Sequence, residues 1–163
     1  GKVVFGEAEN TTLSPRVQRI QALFDRAGIA YETPQDMLRA LWWKFMVNVG
    51  VNQASALLGA PYGVFHRSEH ARAIMEAAMR EVIALAGACG VDLAAADIDE
   101  WYTVLHALHP EGKTSMLQDI EAGRETEVAI FAGKVIALGK QHGIPTPVNT
   151  LLWHAIKALE ERG

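Results

Sequence analysis

Cysteine is nearly missing from this chain. Cys89 stands alone among 163 residues, which excludes an internal disulfide and fits a reducing cytoplasm. Its sequence neighbours are small and include no histidine or basic group, so a buried, inert thiol is expected rather than a nucleophile. Positive charge is in short supply as well. Fifteen Lys and Arg against nineteen Asp and Glu leave a formal charge of -4 and a pI near 5.9. The basic residues are scattered rather than gathered into a stripe, which argues against nucleic acid as a partner. The fourteen glycines include no G-x-G pair, so the chain has neither a dinucleotide fingerprint nor a phosphate loop and should not hold NAD(P) tightly by itself. No basic region followed by an apolar run opens the sequence, so no secretory leader is expected. The longest uncharged run, residues 45–65, is interrupted by Asn48, Asn52, Gln53, Ser55, Pro61 and internal glycines, which speaks against a membrane span. His66 and His70, and His106 and His109, fall at helical spacing, but neither pair has a third ligand in register, and no metal site is expected.

Half of the residues are hydrophobic, enough for a sizeable core at this length. Near the start, Val3, Val4 and Phe5 read as a short strand. Ser14-Pro15 then caps a helix that carries Val17, Ile20, Leu23 and Phe24 up to Gly28, and Ile29, Ala30 and Tyr31 read as a second strand. A strand, a helix and a strand cannot make a stable sheet alone, so residues 1–33 read as the tail of a larger α/β unit. From residue 34 onward the pattern is helical. Thr33-Pro34 is expected to cap a helix running to Leu58, with further helices from Ser68 to about Gly87, Asp92 to Leu108, Ser115 to Ala122, Glu127 to His142 and Pro147 to Glu161. Residues 59–63 read as a break.

The stretch 37–58 is apolar on nearly every side except for Lys44, Asn48 and Asn52. Steps of four residues advance a helix by about 400°, so these side chains form one polar stripe with slow drift. The stripe is either an internal hydrogen-bond network, with Lys44 snorkelling to the surface, or the wall of a cleft where Lys44 meets a ligand. A second polar locus is Lys113-Thr114-Ser115-Met116-Leu117-Gln118-Asp119. Ser115 and Gln118 have capping-box spacing, which makes Ser115 the expected helix cap; a helix start also suits a carboxylate ligand. Glu127 is expected at the start of a long helix, where a carboxylate is favoured by the helix dipole whatever its function.

Five segments taken together resemble the ketopantoate reductases (2-dehydropantoate 2-reductases). They are Leu41-Trp42-Trp43-Lys44-Phe45-Met46-Val47-Asn48, Asn52-Gln53-Ala54-Ser55-Ala56-Leu57, Ser115-Met116-Leu117-Gln118-Asp119, Gly123-Arg124-Glu125-Thr126-Glu127 and Gly143-Ile144-Pro145-Thr146-Pro147-Val148-Asn149. The resemblance implies a mainly α fold: a helical C-terminal domain like that of 6-phosphogluconate dehydrogenase over residues 34–163, preceded over 1–33 by the end of an α/β Rossmann domain. It further implies NADPH bound mainly by that other domain, hydride delivery to a 2-oxo acid, and a fragment inactive without its Rossmann half. By similarity Lys44 protonates the ketone oxygen and Glu127 accepts from a substrate hydroxyl. Asn48 and Asn52 would hydrogen-bond the substrate, and Ser115 would hold its carboxylate. Ala129 and Ala132 depart from the family pattern, which leaves room for a related 2-oxo acid as substrate. A homodimer is compatible with the sequence, and the non-enzymatic alternative is a helical dimerisation module.

Overall fold

A computed structural model describes residues 1–162. They form two compact units, one from Gly1 to Trp42 and the other from Trp43 onward, and the fold is mainly helical.

In the first unit, β1 (Val3–Val4) and β2 (Tyr31–Glu32) run parallel, with Val3 opposite Tyr31 and Val4 opposite Glu32. The crossover between them is α1 (Pro15–Ala27). Ser14 caps it by accepting from the Val17 N–H, Pro15 sits at the first position, and Gly28 ends it at φ 64°. Phe5, Phe24 and Tyr31 stack edge-on or tilted at 5.3–5.8 Å, which ties the strands to the helix. The second strand lies slightly later than expected, because Ile29 is drawn into the helix end by its N–H bond to the Phe24 carbonyl. The next helix, α2 (Met37–Val47), also starts later than Thr33-Pro34 predicts. Asp36 is its cap, accepting from the Arg39 N–H at 2.8 Å, while the Pro34 carbonyl is held by Asn10 Nδ2.

The second unit begins within α2. Where an unbroken helix is expected to Leu58, the chain passes through a π turn (Asn48–Asn52) before α3 (Gln53–Leu58). Residues expected as a plain break contain α4 (Tyr62–Arg67), whose start is fixed by N–H bonds from Tyr62 to the Gly112 carbonyl and from Gly63 to the Pro110 carbonyl. Then come α5 (Glu69–Ala88), α6 (Ala95–Ala107), α7 (Ser115–Glu121), a 3₁₀ turn (Glu127–Ala129), α8 (Ala132–His142) and α9 (Pro147–Glu160). The sequence merges the 3₁₀ turn and α8 into one helix, and the structure separates them at Ile130 and Phe131.

The core is built on α5, which packs against the π turn, α3, α4, α6, α8 and α9. Met75, Met79, Val82 and Leu85 on α5 are fully buried, as are Met46, Phe65, Leu105, Leu152 and Ile156 around it. Unbranched Met side chains suit the irregular surface that a π turn presents. Gly50, in the middle of that turn, lets α5 come close: a Cβ there would lie 2.5 Å from Met79 Cγ and 3.0 Å from the Met75 carbonyl oxygen.

Candidate functional site

A π turn closes i→i+5 hydrogen bonds, so each turn takes up more residues than an α turn. In α geometry a four-residue step overshoots a full turn by about 40°, whereas a π step falls short of one by a comparable amount. The step from Lys44 to Asn48 enters the turn and the step from Asn48 to Asn52 lies within it, so the two drifts oppose each other. On ideal geometry that keeps the three positions nearer to one line than an unbroken α-helix would.

Its members differ in exposure. Lys44 is exposed on the last turn of α2, Asn48 is half-buried, and Asn52 is 8% exposed. Among the described residues none of the three side chains has a hydrogen-bond or ion-pair partner. Asn52 is buried as a residue, yet its amide is not sealed from solvent without a partner as the Gln53 Oε1 atom is. A closed internal network would pair these groups with one another or with nearby backbone, and among the described residues no such pairing is seen.

The second locus differs from the expected capping box. Thr114, not Ser115, is the N-cap of α7: its Oγ1 accepts from the Leu117 N–H at 3.2 Å and donates to Ser55 Oγ at 3.1 Å, and Ser55 in turn donates to the Ala60 carbonyl. Thr114 is 2% exposed. Buried Ser55 accounts for the choice, because only a hydroxyl one residue before Ser115 can serve both groups. Ser115 therefore stands at the first helical position, exposed, with its own hydroxyl uncommitted among the described residues. Thr114→Ala should destabilise the fold by about 1–2 kcal/mol, the usual cost of a lost cap, whereas Ser115→Ala should leave thermal stability unchanged. Melting curves of the two variants check this directly.

The helix α7 packs on the π turn and on α3, so Ser115 and the two asparagines lie on mutually packed elements. Glu127 is placed differently, on the 3₁₀ turn that packs against α8 and α9. It is exposed, and its carboxylate has no partner among the described residues. Its neighbour Thr126 is held by Glu160, whose Oε1 accepts from the Thr126 N–H at 2.8 Å and from Oγ1 at 2.7 Å, while Oε2 accepts from Lys157 at 2.7 Å. Burial pushes the Glu160 carboxyl up, but the bonds from Lys157 and Thr126 outweigh it and hold the group below the ordinary carboxylate value. A depressed folded-state pKa stabilises the fold above the unfolded value and is lost as the pH falls through the folded one. The Tm should therefore decline as the pH drops below about 4.5, and Glu160→Gln should flatten that decline. Melting curves across the acid range read this out.

Three groups that sequence reasoning did not single out support the π turn from behind. Gln53 Nε2 donates to the Val49 carbonyl at 2.7 Å and to Asn149 Oδ1 at 3.0 Å, and Asn149 Nδ2 donates to Glu81 Oε2 at 2.7 Å. The available signal was the glycine in the middle of a buried helix. Cys89 also departs from expectation. It is half-buried, and the fold brings His142 Nε2 to 3.6 Å from its sulfur. His66 bonds the Leu105 carbonyl at 2.9 Å and lies against the His106 ring. A surface pocket of 260 Å³ lined by Ile120, Gly123, Arg124, Leu159, Glu160 and Arg162 includes none of the five candidate residues.

Residues 36–160 match the family described as ketopantoate reductase PanE/ApbA C terminal. The chain belongs to that family. It is 32% identical over 148 residues to the 2-dehydropantoate 2-reductase of Pyrobaculum aerophilum, covering 91% of this chain and 53% of the relative. Against the Vibrio cholerae enzyme of the same name it is 33% identical over 150 residues, covering 91% and 50%. A PanE/ApbA family ketopantoate reductase from Ralstonia eutropha has the same fold, with a TM-score of 0.85 at 28% identity over 99% of this chain and 52% of that one. The chain thus spans about half the length of the curated ketopantoate reductases it matches. Within this family the helices from Met37 onward fall inside the matched region, and all five candidate residues lie in it.

Proposed function

We propose that this chain is the substrate-binding and catalytic part of an NADPH-dependent ketopantoate reductase, which converts 2-dehydropantoate to pantoate on the route to pantothenate and coenzyme A. The carrying observation is the series Lys44, Asn48 and Asn52 running into the π turn, without side-chain partners among the described residues, and Ser115 released from capping on a helix packed beside that turn. Residues 1–33 are read as the end of a Rossmann domain and 34–163 as the substrate domain. Parallel sheets are normally covered on both faces, and Val3 and Val4 are 41% and 43% exposed, which supports that reading.

No glycine pattern in this sequence would cradle a pyrophosphate, so the cofactor's binding residues are assigned to the other domain. When bound there, NADPH supplies the hydride that reduces the ketone carbon. The residues of this chain do the rest. Lys44 donates a hydrogen bond to the ketone oxygen and then its proton as the alkoxide develops. Asn48 and Asn52 orient the substrate, and the Ser115 hydroxyl holds the carboxylate. Glu127 accepts from the substrate hydroxyl, which fixes the face presented to the cofactor.

The partners proposed are a small 2-oxo acid and a second copy of the chain, the latter on the strength of Ile130 and Leu151 at 61% and 67% exposure. Neither nucleic acid nor a membrane is proposed as a partner, and no described helix is long and apolar enough to cross a membrane. The setting proposed is the cytoplasm. The test is NADPH oxidation by the intact enzyme with ketopantoate and a panel of other 2-oxo acids. Preference for ketopantoate supports the reading. Preference for another 2-oxo acid keeps the mechanism and moves the substrate, and turnover of none of them overturns it.

A further inference from the structure

A π turn is less stable than the α-helix that flanks it and persists only where its surroundings hold it. In this chain the holding groups form one connected series. Val49, inside the turn, has its carbonyl taken by Gln53 Nε2 at 2.7 Å, four residues on. The second N–H of that amide goes to Asn149 Oδ1 at 3.0 Å. Asn149 Nδ2 donates to Glu81 Oε2 at 2.7 Å and to the Ala78 carbonyl at 3.3 Å. Glu81 also accepts from the backbone N–H groups of Val148 and Asn149 at 2.7 and 3.0 Å. It thereby does from α5 what Thr146, the N-cap of α9, does not do with its own side chain. Gln53 and Asn149 are fully buried.

We propose that Gln53, Asn149 and Glu81 are positioning residues for substrate recognition: they hold the π turn in place and so set the direction of Asn52. The inference rests on the reading that Asn52 binds substrate. Both N–H bonds of the Gln53 amide are used to connect the turn to the start of α9, and Glu81 anchors that start to the central helix. None of the three residues belongs to the proposed substrate stripe. If the turn relaxes to α geometry, Asn52 swings by roughly 70° relative to Asn48, the difference between a four-residue α step and a π step. Lys44 precedes the turn and keeps its place. Disturbing the series should therefore raise the KM for the 2-oxo acid much more than it lowers kcat.

The experiment is steady-state kinetics on the intact enzyme carrying Gln53→Met, which keeps side-chain length and removes the two N–H bonds, with amide hydrogen exchange at residues 49–53 measured alongside. A KM rise of tenfold or more, a kcat change under threefold and faster exchange in the turn are expected. In an Asn52→Ala background the same substitution should add less than twofold to KM, because the group it directs is gone; a purely structural role would add the same factor in both. Glu81→Gln, which keeps an acceptor for the α9 start, should restore most of the wild-type KM relative to Glu81→Ala, and it carries the test if Gln53→Met fails to fold. An unchanged KM in Gln53→Met, or equal factors in the two backgrounds, overturns the proposal. Should the wild type reduce no 2-oxo acid, the ketopantoate reading falls by itself, and unchanged exchange at 49–53 would separately overturn the hold on the turn.

Discussion

Lys44→Ala is expected to lower kcat for 2-oxo-acid reduction by about 10²–10⁴, the usual contribution of a positioned general acid, which corresponds to roughly 3–5 kcal/mol of transition-state stabilisation. What makes this variant informative is its expected effect on the fold. Lys44 is exposed on the last turn of α2, and among the described residues it has no carboxylate or carbonyl partner. Removing it breaks no hydrogen bond, opens no cavity and places Ala, the best helix former, in a helix. Surface changes of that kind stay within about 0.5 kcal/mol. Since Lys44 holds no pair in the fold, a loss of turnover in this variant reports on the chemistry of the site and not on stability. The measurement is kcat and KM by NADPH oxidation, paired with the Tm of the same preparation. Lost turnover at an unchanged Tm places the proton donor at Lys44, while retained turnover would move that role elsewhere and return the stripe to a structural one.

How much of this was legible beforehand depends on which forces decide each element. The caps at Ser14-Pro15, the stop at Gly28 and the α5 start at Ser68 are local chemistry, and the chain follows them. The mainly helical character after residue 34 follows from apolar periodicity and is likewise as expected. Where tertiary partners decide, sequence reasoning falls short. Ser115 and Thr114 are both good caps, and the choice between them is made by Ser55, 59 residues away in sequence from Thr114. Asp36 displaces Thr33 as the cap of α2 because Asn10 holds the Pro34 carbonyl in the loop. The π turn has no local signature beyond Gly50, since its stabilisers reach across from α9 and α5. The same holds at Cys89, whose neighbour His142 is close only through folding. The stripe itself was visible because it needs nothing more than a spacing of four. Its straightening was not, because that depends on one extra residue taken up per turn.

Asn149→Ala should be the most destabilising polar substitution in the second unit. The residue is fully buried and each polar atom of its side chain is engaged. Truncation leaves a Gln53 N–H without its acceptor, withdraws one donor from Glu81 and one from the Ala78 carbonyl, and opens a small void. An orphaned buried polar group costs about 1–3 kcal/mol. The carbonyl and the carboxylate keep other partners, so the Gln53 amide dominates, and the total comes to about 3–4 kcal/mol. For a chain of this size that is a fall in Tm of the order of 10 °C. Asn149→Asp should be no milder despite its shape, because a carboxylate would replace the Nδ2 donor and face Glu81 directly, putting two like charges in a buried site. Thermal melts of both variants against wild type check this. A drop of only a degree or two in either would mean that the buried series contributes little to the fold, and that the π turn keeps its shape through the Gly50 contact with Met75 and Met79 instead.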